Sequence, residues 1–445
     1  MEEGQEHPLR PVCSANTGPG SRISSLLTNV ITPCIEEFCG KDMAESTEDL
    51  QSKIDGLNSL SDEDREGLVV CSMDAKALFP SIKIERSSEA VRKLILESKI
   101  EIRGVNFWEL SRYLAYLLSE AEVSSAGLTG LVMQRTSRIG RHPVVTGLEL
   151  QKSWAKRVTE GSSIWEQPQR VADSDELRKM LAFAVSLDCK NVMGNHLFRF
   201  GEDTYRQIEG GSIGSELTGI MSKCRMILWV RKMTARCLSL GLVNLITPVY
   251  VDDSLFALKA VDRGVRLAED GSCLIFSQSA FDIDSTEAAD VVTGKLLVSI
   301  ADGIEDDIVM TFDCPSLNES GWMPILDLQV RVDSDVVESL FYEKECASDF
   351  VIMKNSAVPW STKRSTLVSE VARRLFNTSP WLVEKGLANS FIERLNWKMM
   401  ISGYTLEERT SITLEGIARY RNVRKSVLEG RRPMYRISEW RKEER

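Results

Sequence analysis

ITPVYVDDSLFALKA, residues 246–260, sets two adjacent aspartates, Asp252 and Asp253, between two apolar, β-compatible runs. That pattern predicts a β-hairpin that presents both acids at its turn. Adjacent carboxylates repel and raise each other's pKa, and a divalent cation that takes hard oxygen ligands relieves the repulsion. A surface turn, where Asp is common, satisfies the same letters. Taken alone, YVDD leaves both readings open.

Working outward, LVVCSMDA (68–75) is almost continuously apolar, as a strand buried on both faces should be, and it ends at Asp74. By itself Asp74 also suits a residue that only terminates a strand. Two buried strands that each deliver acids at their ends can set three oxygens around metals about 3.5 to 4 Å apart, the arrangement of two-metal phosphoryl transfer. Between them, IERSSEAVRKLILES (84–98) and FWELSRYLAYLLSE (107–120) carry apolar residues at helical spacing. SDELRKMLAFAVSLD (174–188) does so too, with Ser174 as its expected cap and Asp175 and Glu176 favourable in the first turn. NHLFRF and TYRQIE flank GED as a hairpin, and a long buried helix is expected from Ile213 to Leu240. Later strands are expected at DIVMTF (307–312), ILDLQVRV (325–332) and ESLFYEK (338–344), and helices from about Ser361. KDMAESTEDLQSKIDGLNSLSDEDREG (about 41–66) is a charged helical or loop segment, and 122–172 has no clear pattern.

Taken in order, these strings resemble the reverse transcriptase family. RPVCSANTG (10–18) is similar to the fingers motif that contacts the incoming nucleotide, and MDAKALFPSI (73–82) to the first palm motif. IEGGSIGSELTG (208–219) is similar to the glycine-bearing second palm motif, YVDD to the third, and ILDLQV and FYEK to the fourth and fifth. KNSAVPWSTKRSTLVSEVARRLF (354–376) resembles the segment after the palm in Penelope-like and related non-LTR retroelements. The resemblance implies an α/β (α+β) polymerase palm, with an antiparallel sheet backed by helices, reduced fingers and a helical thumb-like C-terminal segment. It implies two Mg²⁺ ions, with Mn²⁺ able to substitute, held by Asp74, Asp252 and Asp253. Phe79 corresponds to the aromatic gate that selects deoxynucleotides, with a core aromatic as the alternative. Arg10 corresponds to the fingers arginine on the triphosphate, a surface arginine being the alternative. Gly210, Gly211 and Gly214 correspond to the glycines that let backbone approach the templating base pair and dNTP. They do not form a P-loop, since no Gly-Lys-Ser/Thr follows.

The net charge of −10 is unevenly placed. Residues 351–445 hold 19 basic and 10 acidic side chains, a balance of +9, which leaves −19 for residues 1–350. In the last 27 residues basic groups alternate with Tyr420, Tyr435 and Trp440. That end, with Arg424, Lys425, Arg431 and Arg432, suits either a nucleic-acid contact or a solvated helix end. Ten cysteines include no C-x-x-C pair and lack matching histidine spacing, which argues against a zinc site or a disulfide framework and for buried thiols in a reducing compartment. No long apolar run and no signal core are present, so a non-membrane, intracellular protein is expected, with the basic pairs only a weak pointer to nucleus over cytoplasm.

The expected organisation is a fingers and palm core over 1–350, with an insertion around 122–172, and a basic thumb-like segment over 351–445. Partners would be an RNA or DNA template with primer, and dNTP; oligomeric state is not encoded. Against the family pattern, Met1 falls just before the second fingers motif, as in an N-terminally truncated copy. Ser212 and Ile213 stand where many members have proline-containing variants, and no nuclease signature follows. Two functions stay open: an RNA-directed DNA polymerase extending a primer 3′-hydroxyl, or an inactive retroelement-derived remnant that serves as a nucleic-acid-binding scaffold.

Overall fold

In the computed structural model the described residues are 20–44, 46–135, 165–166, 169–200, 202–262, 265–276, 287–344 and 346–428. The fingers-like string 10–18, much of the expected insertion and the basic end from 429 lie outside them. Two compact units interleave along the chain, one formed by Met1–Glu37 and Phe79–Arg225, the other by Phe38–Leu78 and Met226–Arg445. The elements used below are, in chain order, α1 (Thr47–Asn58), β1 (Leu68–Ala75), α2 (Ile84–Glu97), α3 (Phe107–Leu117), α4 (Ser174–Met193), β2 (Leu197–Phe200) and β3 (Asp203–Arg206). There follow α5 (Glu216–Ser239), β4 (Asn244–Ile246), β5 (Val249–Tyr250), β6 (Asp253–Lys259), α6 (Ala289–Asp302) and β7 (Met310–Asp313). Last come β8 (Met323–Ile325), β9 (Leu328–Asp333), β10 (Val336–Phe341), α7 (Trp360–Phe376), α8 (Asn389–Ile401) and α9 (Leu406–Leu428).

The second unit is built on an antiparallel sheet in the order β7-β1-β6-β4, with β5 also paired to β6. Successive residues of a strand face opposite ways, and both faces of β1 and β6 are covered. Leu68, Val70, Leu255 and Ala257 pack with Leu50, Ile54 and Leu57 of α1 and with Met323, Leu328 and Val330 of a second antiparallel sheet, β8-β9-β10. On the opposite face, Phe256 meets Trp229 of α5 edge to face at 6.5 Å, and both are fully buried. Each such side chain contributes roughly 1.5–3 kcal/mol by leaving water. Gly294 of α6 lies so close to Phe312 of β7 that an added Cβ would sit 2.2 Å from the ring. The near-continuous apolar reading of 68–75 is therefore met by a strand with two covered faces, and the expected antiparallel sheet backed by helices is present.

ILDLQVRV is not one strand. Leu326 takes φ 54° and turns the chain, so that β8 and β9 pair antiparallel on either side of Leu326 and Asp327. DIVMTF likewise begins to pair only at Met310. Helices α7 to α9 enclose a separate apolar cluster that includes Leu367, Val371, Leu395, Met399, Ile412 and Tyr420.

In the first unit, α3 and α4 bury Phe107, Leu110, Leu114, Met180 and Ala184 together with Leu128 and Leu131. The cap of α4 is Asp173, not Ser174. Asp173 accepts from the Glu176 amide and the Glu176 side chain returns to the Asp173 amide, so the reciprocal cap starts one residue earlier than the sequence suggested. β2 and β3 pair antiparallel as the expected hairpin, with Leu197 opposite Arg206 and Phe200 opposite Asp203. Among the described residues no disulfide joins Cys34, Cys71, Cys189, Cys224, Cys237, Cys273, Cys314 or Cys346, and all of these but Cys273 and Cys346 are buried. Among the described residues no helix is long and apolar enough to cross a membrane.

Candidate active site

Strand pairing brings the predicted acids of the second unit together. Register runs Cys71 to Phe256, Met73 to Ser254 and Asp74 to Asp253, while Tyr250 also pairs with Asp253. Between Tyr250 and Asp253 the chain reverses in two residues, Val251 and Asp252. Val251 has φ 58°. A β-branched side chain rarely takes that conformation, and such strain persists only where the surroundings impose it. Here the surroundings are hydrogen bonds between the turn's strands and β1: the Ala75 amide donates to the Asp252 carbonyl at 3.1 Å, and the Ser254 side-chain Oγ donates to the Met73 carbonyl at 3.0 Å. On the other side of β1, Thr311 Oγ1 donates to the Asp74 carbonyl at 3.3 Å. The backbones carrying Asp74, Asp252 and Asp253 are thus tied into one sheet end.

Burial is the largest influence on Asp253 and pushes its carboxyl up; the charges of Asp252 and Asp74 push the same way, and Lys344 only partly counters them. The result is a pKa of about 6. Such a group gains from a nearby cation. Among the described residues no three His, Cys, Asp or Glu side chains are already drawn together to hold an ion. The fit to a divalent cation therefore rests on the donor set: three hard carboxylates at one sheet end whose mutual repulsion is visible in Asp253.

In the first unit, Gly210 has φ 65°, and an added Cβ would meet the carbonyl oxygen of Pro80 at 2.1 Å. The Gly211 amide donates to the Phe79 carbonyl at 2.7 Å, and a Cβ there would strike Thr218 at 2.2 Å. Gly214 takes φ 102°. The glycines thus lock their loop onto the Phe79–Pro80 backbone. Phe79 itself is half-buried.

Arg10, Arg431 and Arg432 lie outside the described residues. Lys425 is exposed, whereas Arg424 is half-buried and lines a small pocket with Gln51, Asp55 and Tyr420. Tyr420 belongs to the core, edge to face with Phe376 at 5.0 Å, and does not alternate with the basic groups as a surface aromatic. Two neighbours of the predicted residues were missed. The charge of Lys344 is felt at Asp253, its only sequence trace being its place in FYEK, and His196 Nδ1 lies 3.3 Å from Ser212 Oγ of the glycine loop, with no local signal.

No protein-family profile matches the chain, and no curated protein does. Among solved structures, telomerase from Candida albicans in complex with a TWJ fragment of telomeric RNA is similar at 10% identity and TM-score 0.41, covering 90% of this chain and 51% of that one. Apo telomerase from Candida tropicalis is similar at 11% identity and TM-score 0.37, covering 92% of this chain and 56% of that one. This chain spans about half the length of those telomerase chains.

Proposed function

We propose that the chain is an RNA-directed DNA polymerase that extends a primer 3′-hydroxyl with dNTPs. One observation carries the reading. The acids of two separated motifs, Asp74 and Asp253, are register partners, and Asp252 occupies the turn beside them. A strained two-residue turn and a carboxyl raised to about 6 are costs that a purely structural hairpin has no use for. The order of the motifs along the chain supports the same reading, with the sheet and its helices as the palm and α7 to α9 as a thumb. The Penelope-like assignment rests on residues 354–376 alone.

Asp74, Asp252 and Asp253 would hold two magnesium ions. When bound, these would lower the pKa of the attacking hydroxyl and neutralise charge on the transferred phosphoryl. The protein's own part is to present the three carboxylates on a rigid sheet end. Phe79, whose carbonyl is fixed by Gly211, would stand where a ribose 2′-hydroxyl must be excluded. Gly214, at φ 102°, would keep its part of the loop free of a side chain, while Gly210 seats that loop against the Pro80 backbone.

Primer extension on an RNA template with magnesium or manganese tests the proposal. Wild type should incorporate dNTPs, and Asp252→Ala should fall to background with an unchanged circular dichroism spectrum. Phe79→Val should admit ribonucleotides, and unchanged sugar selectivity would return Phe79 to a packing role. No incorporation by folded wild type sinks the polymerase reading and leaves the inactive scaffold.

A further inference from the structure

The first unit contains a cleft of about 730 Å³ that the acid cluster does not use. Its walls are the chain from Ser81 to Glu85, the end of α4 with the turn after it, and the segment from Arg206 to Gly210. Three cations from three separate elements line it: Lys83, Lys190 and Arg206. Arg206 is fixed in place, since its Nε and Nη2 donate to the Gly194 carbonyl at 3.0 and 2.7 Å. A guanidinium has five N–H donors, so the fork retains capacity for an acceptor in the cleft. Lys190 reaches Glu85 at 3.4 Å, but both side chains are more than half exposed, and such a pair is weak enough for a phosphate to replace the carboxylate. Glu209 is a second acid on the lining, so the local excess of positive charge is one. On a chain of net charge −10 that local sign is the reverse of the average. Ile208, 83% exposed, offers an apolar surface beside the cations.

The floor is rigid and has a known neighbour. Gly210 lines the cleft and abuts the Pro80 backbone, and Gly211 holds the Phe79 carbonyl. Whatever occupies the cleft is therefore set at a fixed place relative to Phe79 and the glycine loop.

We infer that this cleft binds the phosphodiester backbone of an unpaired nucleic-acid strand, with Lys83, Lys190 and Arg206 on successive phosphates and Ile208 against a base or sugar. The choice of occupant rests on the polymerase reading, which requires a template strand; the cations alone specify only phosphate. A free nucleoside triphosphate is the other source of that chemistry. A strand is favoured because the cations come from three elements spread around a volume larger than one triphosphate needs.

The test is fluorescence anisotropy of a labelled 12-nucleotide oligouridylate with the full chain, without divalent metal and over a range of salt, so that it does not depend on incorporation. Three phosphate contacts to a single strand give a slope of about −2 in log affinity against log salt. Lys83→Ala/Lys190→Ala/Arg206→Ala should flatten the wild-type slope by about that amount. Between 50 and 200 mM salt, wild type should then weaken roughly 20-fold more than the triple variant. Glu85→Gln removes the carboxylate that competes for Lys190 and should tighten binding about threefold, a change that misfolding does not produce. An unchanged slope in the triple variant, or no tightening in Glu85→Gln, overturns the assignment. So does full displacement of the oligonucleotide by dNTP, which would make the cleft a nucleotide site. If the slope flattens but wild type incorporates no dNTP, the cleft stands and the polymerase reading fails; if dNTP is incorporated and the slope is unchanged, the reverse holds.

Discussion

Glu343 and Asp253 are both partly buried carboxylates near strand ends of the same compact unit, and they are held in opposite ways. Burial pushes the Glu343 carboxyl up, but the Lys398 ammonium at 2.5 Å and the Arg374 guanidinium at 3.4 Å outweigh it, and the net shift is downward. Arg374 also stacks over Phe341 at 4.5 Å, so the cation is fixed by an aromatic face as well as by charge. Asp253 is likewise pushed up by burial, but its two carboxylate neighbours reinforce that push. Glu343 is a solved electrostatic problem that joins β10 to α7 and α8. Asp253 is an open one, and an open one at a strained turn is where a ligand is expected to complete the structure.

Breaking the solved side should have the largest effect on stability. Glu343→Ala leaves Lys398 and Arg374 buried, with side chains only 4% and 3% exposed, and without their shared acid. The expected loss is about 3 kcal/mol in urea unfolding, the lower end for a broken buried pair because Glu343 itself keeps some contact with water. The pH dependence follows from the downward shift. A carboxyl whose folded pKa is depressed stabilises fully above its unfolded value of about 4.3, and that stability is lost as pH falls through the folded pKa. Wild type should therefore lose stability on acidification below about pH 4.3, and Glu343→Gln should remove that part of the loss. Identical acid profiles for the two proteins would show that Glu343 does not couple to its cations.

The contrast between these two carboxylates also separates what the sequence announces from what it conceals. Asp252 and Asp253 interrupt an apolar strand pair, and Asp74 ends a strand with two covered faces, so both the hairpin and its acids are written in a period of two over a few residues. The glycines were legible as positions that exclude a side chain, although the reason, the Pro80 backbone some 130 residues earlier, was not. The Glu343 network was invisible: its partners stand 31 to 55 positions away on two helices, and no local pattern specifies which cation meets which acid. Tyr420 was misread for a related reason. A run rich in basic groups looks solvated until helical spacing turns Tyr420 and Val423 inward. ILDLQVRV hid its turn because Leu326 is an improbable residue for positive φ.

Relieving the open side should have a smaller effect of opposite sign. At pH 8 without divalent metal, Asp253 is ionised in both folded and unfolded chains, and only the folded one carries the cost of burying that charge and, added to it, the repulsion from Asp252 and Asp74. A rise from 3.8 to about 6 corresponds to roughly 3 kcal/mol at 1.36 kcal/mol per unit. Asp253 keeps enough solvent contact that about 1 kcal/mol is the realistic share. Asp253→Asn should therefore raise the stability of the metal-free protein by about 1 kcal/mol, while abolishing incorporation. A destabilised Asp253→Asn protein would mean that the carboxylate is already compensated within the fold, and the contrast with Glu343 would collapse.

The smallest effect lies at the rim of the Glu343 network and shows whether burial or pairing carries its stability. Arg394 contacts the same acid as Lys398, Nε to Oε2 at 3.3 Å, and adds a second pair to Asp349 at 3.0 Å. By count of ion pairs it is the better-connected cation. Its side chain is 53% exposed, however, against 4% for Lys398. Water and salt screen an exposed guanidinium, and losing it leaves no charge stranded, because Glu343 retains Lys398 and Arg374. Arg394→Ala should thus cost no more than about 0.5 kcal/mol, and even that should fade in 0.5 M salt. Lys398→Met, which keeps the buried volume and removes the charge, should cost several times as much and be insensitive to salt. If the two substitutions proved equally costly, the number of ion pairs and not their burial would be what holds Glu343, and the same count would then have to be applied to Lys344 beside Asp253.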